Sequence, residues 1–184
     1  MANWFIGLPV APGAWFERVG EPPPGVTRFH PGDLHFTIAF LGAVPEEAAR
    51  AGWAALAWNL PACDVVLGPV VPMGSSRRPS AFSALLEDGR AAVEAAMGAS
   101  RGACFAAAGA RPEERAPKAH LTVARPSRKA SDRERRAGEA WATTLDLGRP
   151  TVRLDRVALF TWSEDRHAAP GGPQFRIVEE RWYE

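Results

Sequence analysis

The sequence predicts an α+β fold with antiparallel sheets and two similar halves, on three observations. Short apolar runs typical of strands alternate with longer amphipathic segments. Pairs of such runs are joined by short polar connections, which indicates hairpins. Finally, one strand motif occurs twice, as HFTIAFLG from His35 and as HLTVAR from His120, almost half the chain apart.

The first half of the chain contains two strand patterns and a helix start. Residues 3–10 form an apolar run ended by APGA, which is typical of a buried strand followed by a turn. The Pro- and Gly-rich residues 21–33 predict a surface loop that leads into a strand over 34–41. Pro45, with two glutamates directly after it, predicts a helix start because acidic side chains are favoured in a first helical turn.

The rest of the chain repeats the pattern of strand pair, helix and motif strand. Pro126 is expected to end the second motif strand because proline has no amide proton for the ladder. Ser131 and Glu134 have capping-box spacing and predict a helix start. The predicted elements are strands at 63–73 and 80–88 joined by GSSRRPS, a helix at 89–107, a strand at 119–124, a helix to about 143, and a closing hairpin of 151–162 and 174–183.

Composition indicates a folded chain without a strong electrostatic field. The 184 residues are 46% apolar, which is ample for one core. The formal net charge is +1, from 22 basic and 21 acidic residues. Any nucleic-acid binding must therefore depend on a local basic patch.

Cysteine usage and the N-terminus predict a cytoplasmic protein that does not enter a membrane. Cys63 and Cys104 lie far apart without CxxC spacing, which argues against a disulfide framework or a thiol-rich metal site. The apolar N-terminal stretch has no basic leader, contains Pro9 and Pro12, and is too short to span a bilayer. We therefore interpret it as the first strand.

Strand alternation gives each motif a chemical face and a core face. Residues two apart share a face, so His35 and Thr37 are expected on one side and Phe36, Ile38 and Phe40 on the other. In the second copy, His120 and Thr122 share a face and Leu121 and Val123 lie opposite. If the two strands are neighbours, two imidazoles and two hydroxyls converge on one groove.

Such a group of side chains suits displacement at phosphorus. One imidazole takes a proton and the other supplies one, and hydroxyls donate hydrogen bonds to phosphoryl oxygens. A single His-x-Thr pair on a strand is more often structural, and the duplication is what favours catalysis. Zinc binding is the competing interpretation, but neither copy contains HExxH or a His/Cys cluster. No metal or other cofactor is expected.

These residues resemble the 2H phosphoesterases, and within them the RNA 2′,3′-cyclic phosphodiesterases also called 2′-5′ RNA ligases. The similarity covers nearly the whole chain: WFIGLPV resembles the opening strand, the two copies resemble the HxTxxFLG and HxTxxR motifs, and GGPQFRIVEERW resembles the closing hairpin. It implies one bilobal domain over residues 1–184, and we expect that domain to act as a monomer. Two antiparallel sheets would line a central groove, with helices packed outside.

The resemblance also implies an activity and residue roles. RNA ending in a 2′,3′-cyclic phosphate would be hydrolysed to a 2′-phosphate without metal, with reverse 2′-5′ ligation possible. His120 would be the proton acceptor and His35 the proton donor, while Thr37 and Thr122 would hold the phosphate. The sequence departs from the family pattern at PKAH before His120 and at Phe175, where a tyrosine is common.

Further substrate contacts are expected from basic and aromatic residues near the motifs. Strict alternation places Arg125 opposite His120, so it reaches the phosphate only if the strand twists or ends there. Trp162, like Phe82, is a possible surface on which an RNA base could stack. His30 and His167 are interpreted as surface histidines. The substrate-binding candidates are Arg125, Lys118, Arg128, Lys129, Arg77, Arg78 and, as a stacking platform, Phe82.

Two other functions remain open from the sequence. In the first, the chain is a module that binds RNA ends without catalysis, and its binding survives loss of the histidines. In the second, a cyclic phosphodiesterase of this kind acts on a small nucleotide such as a cyclic phosphate of ADP-ribose. Turnover of a cyclic phosphate excludes the non-catalytic module. Comparing the turnover of an oligonucleotide with that of a mononucleotide separates an RNA phosphodiesterase from an enzyme for small nucleotides.

Overall fold

The computed structural model describes residues 2–75, 78–164 and 172–184. Three helices and two 3-10 turns, Ala14–Val19 and Pro31–Asp33, accompany the strands there. The helices are α1 (Glu46–Ala54), α2 (Arg90–Ala107) and α3 (Asp132–Thr144). The strands are β1 (Trp4–Pro9), β2 (Val26–Arg28), β3 (His35–Gly42), β4 (Cys63–Ser75), β5 (Arg78–Asp88), β6 (His120–Pro126), β7 (Thr151–Leu154), β8 (Arg156–Trp162) and β9 (Phe175–Trp182).

The strands form one antiparallel sheet with the motif strands at its centre. The order is β7-β4-β5-β6-β3-β1-β8-β9, and β2 pairs with β6 outside this path. β3 and β6 are joined at one registered pair, Phe36 and Leu121, both fully buried. The predicted α+β fold is confirmed. The two antiparallel sheets that the sequence predicted are the halves of one continuous sheet, which meet along these two strands.

The helices cover the core face of the sheet. α1 and α2 pack on each other and against β1 and β3, whereas α3 packs against β2, β4, β5 and β6. Ser131 accepts from the Glu134 amide and the Glu134 carboxylate accepts from the Ser131 amide, which confirms the predicted capping box. Pro45 was expected to be the first helical residue, whereas it is the N-cap of α1, which begins one residue later at Glu46.

Two differences from the sequence predictions have a local physical cause. The predicted Pro- and Gly-rich loop contains a 3-10 turn and the strand β2. β2 forms because the backbone of residues 26–28 pairs with β6. The segment 151–162 is two strands rather than one, with Asp155 between them. β7 extends the sheet beside β4 and β8 pairs with β1, so the two strands lie in different halves of the sheet.

Phe82 is a core residue, and its prediction as a stacking platform is wrong. Its side chain is fully buried and meets the ring of Trp141 edge-on, with centroids 6.2 Å apart. Gly138 of α3 lets the helix approach, since a Cβ there would lie 3.0 Å from the Phe82 ring. Phe82 thus faces α3, on the side of the sheet away from the groove.

Candidate active site

Both motif histidines are held by equivalent hydrogen bonds, each to a backbone carbonyl two residues earlier in the chain. His35 Nδ1 lies 2.6 Å from the carbonyl oxygen of Asp33, and His120 Nδ1 lies 2.7 Å from that of Lys118. A carbonyl only accepts, so each Nδ1 carries a proton and donates it. Each ring consequently leaves its Nε2 as the atom available for proton transfer. The duplication of the sequence motif is thus a duplication of side-chain geometry.

The register between β3 and β6 sets the two motifs beside each other. Phe36 lies opposite Leu121 in an antiparallel pair, so the positions that flank it are paired crosswise. His35 is placed next to Thr122, and Thr37 next to His120. All four side chains are partly buried. The structure therefore brings together the four residues that the sequence predicted.

A β-bulge at the same place in each motif strand changes the face of the sixth motif residue. Ile38 in β3 and Val123 in β6 are extra residues relative to their neighbours β1 and β5. Each bulge shifts the alternation by one, which re-aims the side chains beyond it. The two strands accordingly share one burial pattern, in which the sixth residue, Phe40 or Arg125, is exposed.

These bulges correct two expectations from strict alternation. Phe40 does not anchor β3 in the core: it is 56% exposed and lines the groove with Thr37 and His120. Arg125 lies on the His35 side, where its charge helps to lower the pKa of His35. Its guanidinium stands over the Phe29 ring, 5.2 Å from the centroid. Burial of the guanidinium, together with the nearby positive charge of Arg128, lowers the pKa of Arg125. Part of the Arg125 side chain is nevertheless exposed.

His35 sits among three aromatic rings. The centroids of Phe5, Phe160 and Phe175 lie 4.6, 5.2 and 5.6 Å from that of the imidazole. Burial, opposed by the Asp33 hydrogen bond and reinforced by the charges of Arg125 and His120, lowers the pKa of His35 to about 4. The ring is therefore neutral near pH 7 in the free protein. The aromatic Phe175 fills the position at which the sequence departs from the family pattern.

Asp33 connects this histidine to the start of β9. The residue is 1% exposed, and its carboxylate accepts from the amides of Gln174, at 3.1 and 2.9 Å, and Phe175, at 3.0 Å. Burial raises the pKa of Asp33, against the lowering effect of these amides. Because the same residue's carbonyl holds His35, Asp33 positions both the ring and Phe175 beside it. No sequence pattern distinguished this aspartate from a loop residue.

Ser83 is a second site residue that the sequence did not reveal. It is fully buried on β5, opposite Thr122, and its hydroxyl lies 3.1 Å from the Thr122 hydroxyl. A hydroxyl both donates and accepts, so Ser83 fixes the direction of the Thr122 hydroxyl. The signal in the sequence was a serine among apolar residues of a buried strand.

The basic candidates that the structure describes lie just before β6, just after β6 and at the start of β5. Arg128 and Lys129 are exposed in the loop after β6, Arg78 is exposed at the start of β5, and Lys118 lines the groove beside His120. Arg77 and His167 lie outside the described residues. Trp162 is partly buried and stacks on Phe175, with centroids 5.1 Å apart.

Arg135 ties the basic loop to the strand that carries Arg78. It is 7% exposed and donates to the carbonyl oxygens of Pro79, at 3.1 Å, and Ser127, at 2.9 Å. It also donates to Ala130 and Arg128. Arg135 therefore has a structural role, with its charge hydrogen-bonded inside the fold.

Gly7 is required where β1 passes His35. A Cβ at this position would lie 2.7 Å from the carbonyl oxygen of Phe36 and 3.5 Å from Cδ2 of His35. Gly7→Ala is expected to destabilise the protein by about 1–3 kcal/mol, because β1 and β3 must separate, and to lower activity by displacing His35. Urea unfolding and turnover measure the two effects.

Gly102→Ala is the matched control for this substitution. Gly102 is exposed on α2 and an added Cβ there meets nothing within 4 Å. This variant is expected to keep its activity. Its free energy of unfolding is expected to rise by up to about 1 kcal/mol, because alanine has a higher helix propensity than glycine. Equal behaviour of the two variants would contradict a close approach at Gly7.

Within the described ranges, no group of three or more His, Cys, Asp or Glu side chains is arranged to hold a metal ion. In the same part of the chain, none of the helices combines the length and apolar character that crossing a membrane requires.

Solved structures resemble the chain over nearly its full length. LigT from E. coli, complexed with 3′-AMP, has a TM-score of 0.71 at 17% identity and covers 99% of this chain and 98% of its own. TT0787 of Thermus thermophilus has a TM-score of 0.68 at 19% identity, covering 98% and 97%. Usb1 of Kluyveromyces marxianus has a TM-score of 0.53 at 10% identity, covering 96% and 97%. The chain has the fold of LigT. No family model and no curated protein matches its sequence.

Burial of the His35 ring makes the stability of this protein sensitive to acid. The unfolded chain protonates this ring near pH 6.5, whereas the folded protein does so only near pH 4. The contribution of His35 to stability is therefore complete above pH 6.5, is lost as the pH drops from 6.5 towards 4, and changes little below pH 4. His35→Gln is expected to show a shallower loss of unfolding free energy over this range, and a ring NMR titration gives the midpoint directly. A midpoint at or above 6.5 would contradict the burial of the ring.

Proposed function

We propose that this protein is a cytoplasmic, metal-independent phosphodiesterase that hydrolyses 2′,3′-cyclic phosphate ends of RNA to 2′-phosphates. The observation that carries the proposal is the pair of imidazoles, each with Nδ1 fixed by a carbonyl and each beside the threonine of the other strand. This arrangement supplies two proton-transfer groups and two hydroxyls to one phosphate. The fold shared with LigT supports it.

The proton acceptor of the proposed reaction is His120. Its Nε2 removes a proton from a water molecule as the water oxygen forms a bond to phosphorus. The P–O3′ bond breaks, and Nε2–H of His35 donates its proton to the departing 3′ oxygen. The phosphate remains on the 2′ oxygen, one water is consumed, and the proton on His120 returns to solvent while His35 is reprotonated. In the reverse direction a 5′-hydroxyl takes the place of water and a 2′-5′ linkage forms.

The neutral state of His35 in the free protein is consistent with a donor that is charged by its substrate. A negative charge close to a buried imidazole favours the protonated form and raises its pKa. The phosphodiester brings such a charge between the two rings. Binding and proton uptake at His35 are then coupled, so that the acid exists when the cyclic phosphate is in place.

The phosphate is held by neutral and charged donors in this proposal. Thr37 and Thr122 donate to the non-bridging oxygens, with Thr122 oriented by Ser83. Arg125 approaches from the His35 side. Arg128, Lys129, Arg78 and Lys118 contribute longer-range attraction for the RNA backbone. We further propose that residues 1–184 act as one bilobal domain and as a monomer.

Product analysis tests the proposed function. RNA ending in a 2′,3′-cyclic phosphate is incubated with the protein in the presence and absence of a chelator, and the terminal phosphate is located. A 2′-phosphate formed at equal rates in both reactions is expected. A 3′-phosphate would overturn the assigned leaving group, and loss of turnover with chelator would overturn the metal-independent mechanism. Binding of the RNA without turnover would favour a non-catalytic end-binding module.

A further inference from the structure

Four basic side chains form a surface that continues from the His35 side of the active site: Arg78, Arg125, Arg128 and Lys129. Arg125 lies on the His35 side and is exposed near the end of β6. Arg128 follows in the loop between β6 and α3, close enough for its positive charge to lower the pKa of Arg125. The start of β5, which carries Arg78, runs beside the end of β6. This basic surface therefore adjoins the residues that we propose to hold the phosphate.

A buried arginine fixes the backbone beneath the basic surface. Nη1 of Arg135 donates to the carbonyl oxygen of Pro79 at 3.1 Å. Nη2 of the same guanidinium donates to the carbonyl oxygens of Ser127, at 2.9 Å, and Arg128, at 3.5 Å. Because a guanidinium is small, planar and rigid, these contacts place the start of β5, with Arg78, directly beside the loop that carries Arg128.

The loop between β6 and α3 is also ordered by its own hydrogen bonds. The Ser127 amide donates to the Gly25 carbonyl at 2.8 Å, and the Ala130 amide donates to the Ser127 carbonyl at 3.0 Å. The Lys129 amide donates to the Ser127 hydroxyl at 3.3 Å. The side chains of Arg128 and Lys129 are nevertheless exposed. The loop thus presents cations to solvent from a fixed backbone, which lowers the entropy cost of binding a ligand.

Within the described part of the chain, no carboxylate forms an ion pair with a member of the basic surface. Of the two acidic residues that follow the loop, Glu134 accepts from Ser131, and Asp132 lies in the first turn of α3, where a negative charge is favoured. The guanidinium of Arg135 has carbonyl partners. Like charges held this close repel one another, and an anion with several charges along its length relieves that repulsion.

We infer that the basic surface binds the phosphate backbone of the nucleotides that precede the cyclic-phosphate nucleotide. The inference rests on the proposed function and narrows its substrate class to the end of an RNA strand several nucleotides long. A free cyclic mononucleotide would leave these cations unused. Contacts to the backbone carry no sequence information, so the preference is for strand length rather than for particular bases.

The proposed mechanism gives the direction in which the strand leaves the active site. His35 protonates the departing 3′ oxygen, and the attacking water lies in line on the opposite side of phosphorus, beside His120. The ribose of the terminal nucleotide is therefore on the His35 side of the phosphate. The rest of the strand is attached to that ribose, and the basic surface begins on the same side with Arg125.

Anisotropy of a labelled RNA decanucleotide with a 3′-hydroxyl end tests the basic surface without any turnover. Arg128→Gln and Lys129→Gln are each expected to weaken binding at low salt. Each phosphate that is no longer neutralised lowers the salt slope by about 0.7, so the slope of the double variant is expected to fall by about 1.4. The advantage of the parent over the double variant should then shrink about sevenfold as salt rises from about 50 to about 200 mM.

Arg153→Gln is the matched control for the loss of one surface charge. Arg153 is exposed on β7 and lies opposite Asp64, near the start of β4. Arg78 lies opposite Ser75, at the other end of β4, so Arg153 is remote from the basic surface. The control is expected to bind the decanucleotide as the parent does. If Arg128→Gln and Lys129→Gln behave like this control, the inference is wrong.

Turnover distinguishes failure of the basic surface from failure of the proposed function. We compare kcat/KM for a 2′,3′-cyclic mononucleotide and for a decanucleotide with the same cyclic end. The parent is expected to prefer the decanucleotide at low salt, and the double variant to show a smaller preference. If the variants weaken binding as expected but no cyclic phosphate is hydrolysed, the basic surface stands and the proposed function is wrong. Equal kcat/KM for both substrates at every salt concentration would overturn the inference and leave the proposed function standing.

Discussion

Replacing either His35 or His120 with alanine is expected to slow hydrolysis of a 2′,3′-cyclic phosphate by about 10²- to 10⁴-fold. Each substitution removes one Nε2, so that either the water or the departing 3′ oxygen must exchange its proton with solvent. The barrier rises by about 3–5 kcal/mol. Single-turnover rates on RNA with a cyclic end measure this, since they isolate the chemical step from product release.

The two losses are expected not to add. Because the rings act on the same transition state, the double variant should be little slower than the slower single variant. His30→Asn is the matched control: His30 caps the 3-10 turn before β3, its Nδ1 accepting from the Gly32 amide, and asparagine is a good cap. Parent-like rates in both alanine variants, with unfolding unchanged, would refute the two-histidine mechanism.

Arg125→Met is expected to lower kcat/KM by about 10- to 150-fold, which corresponds to a charge-assisted hydrogen bond of about 1.5–3 kcal/mol. Methionine keeps much of the apolar stem over Phe29 and removes the guanidinium. Because Arg125 also helps to lower the pKa of His35, the ring NMR midpoint of His35 is expected to rise in this variant. Steady-state kinetics and that titration form two independent measurements.

Arg128→Met separates a specific contact from general attraction. Arg128 is the next basic residue along the loop and is exposed. Its loss should change kcat/KM less than the loss of Arg125, and the effect should fade as salt rises. Equal effects for both arginines at high salt would show that Arg125 acts only through long-range charge. In that case the bulge in β6 would have no role in binding phosphate.

The two bulges explain why alternation was a good guide for part of each motif and failed beyond it. His35 and Thr37 precede the extra residue Ile38, so the period of two holds there. Phe40 follows it, and its face is reversed. Both copies carry a β-branched residue and then an alanine after the threonine, which was the only trace of the bulge in the sequence. That trace became interpretable only once the register with β1 and β5 was known.

Stacking predictions failed at Phe82 for a different reason. The sequence of a strand does not predict which of its two faces a helix covers. In this protein α3 covers the face on which Phe82 lies. The aromatic residues that do lie near the motif residues are Phe5, Phe160 and Phe175, whose rings surround His35, and the exposed Phe40. They come from four different strands, and their proximity is a property of the sheet order.

The sequence by itself determined the α+β class, most of the strands and helices, and the four residues of the two motifs, because each depends on short-range periodicity and on local signals such as the Ser131 capping box. The tertiary structure alone decided the crosswise pairing of each histidine with the other strand's threonine, which depends on the single register Phe36–Leu121. It likewise decided the roles of Asp33, Ser83 and Gly7, since these act through contacts with residues distant in the chain. Short-range patterns carry no information about such contacts, and the chemistry of this groove is built from them.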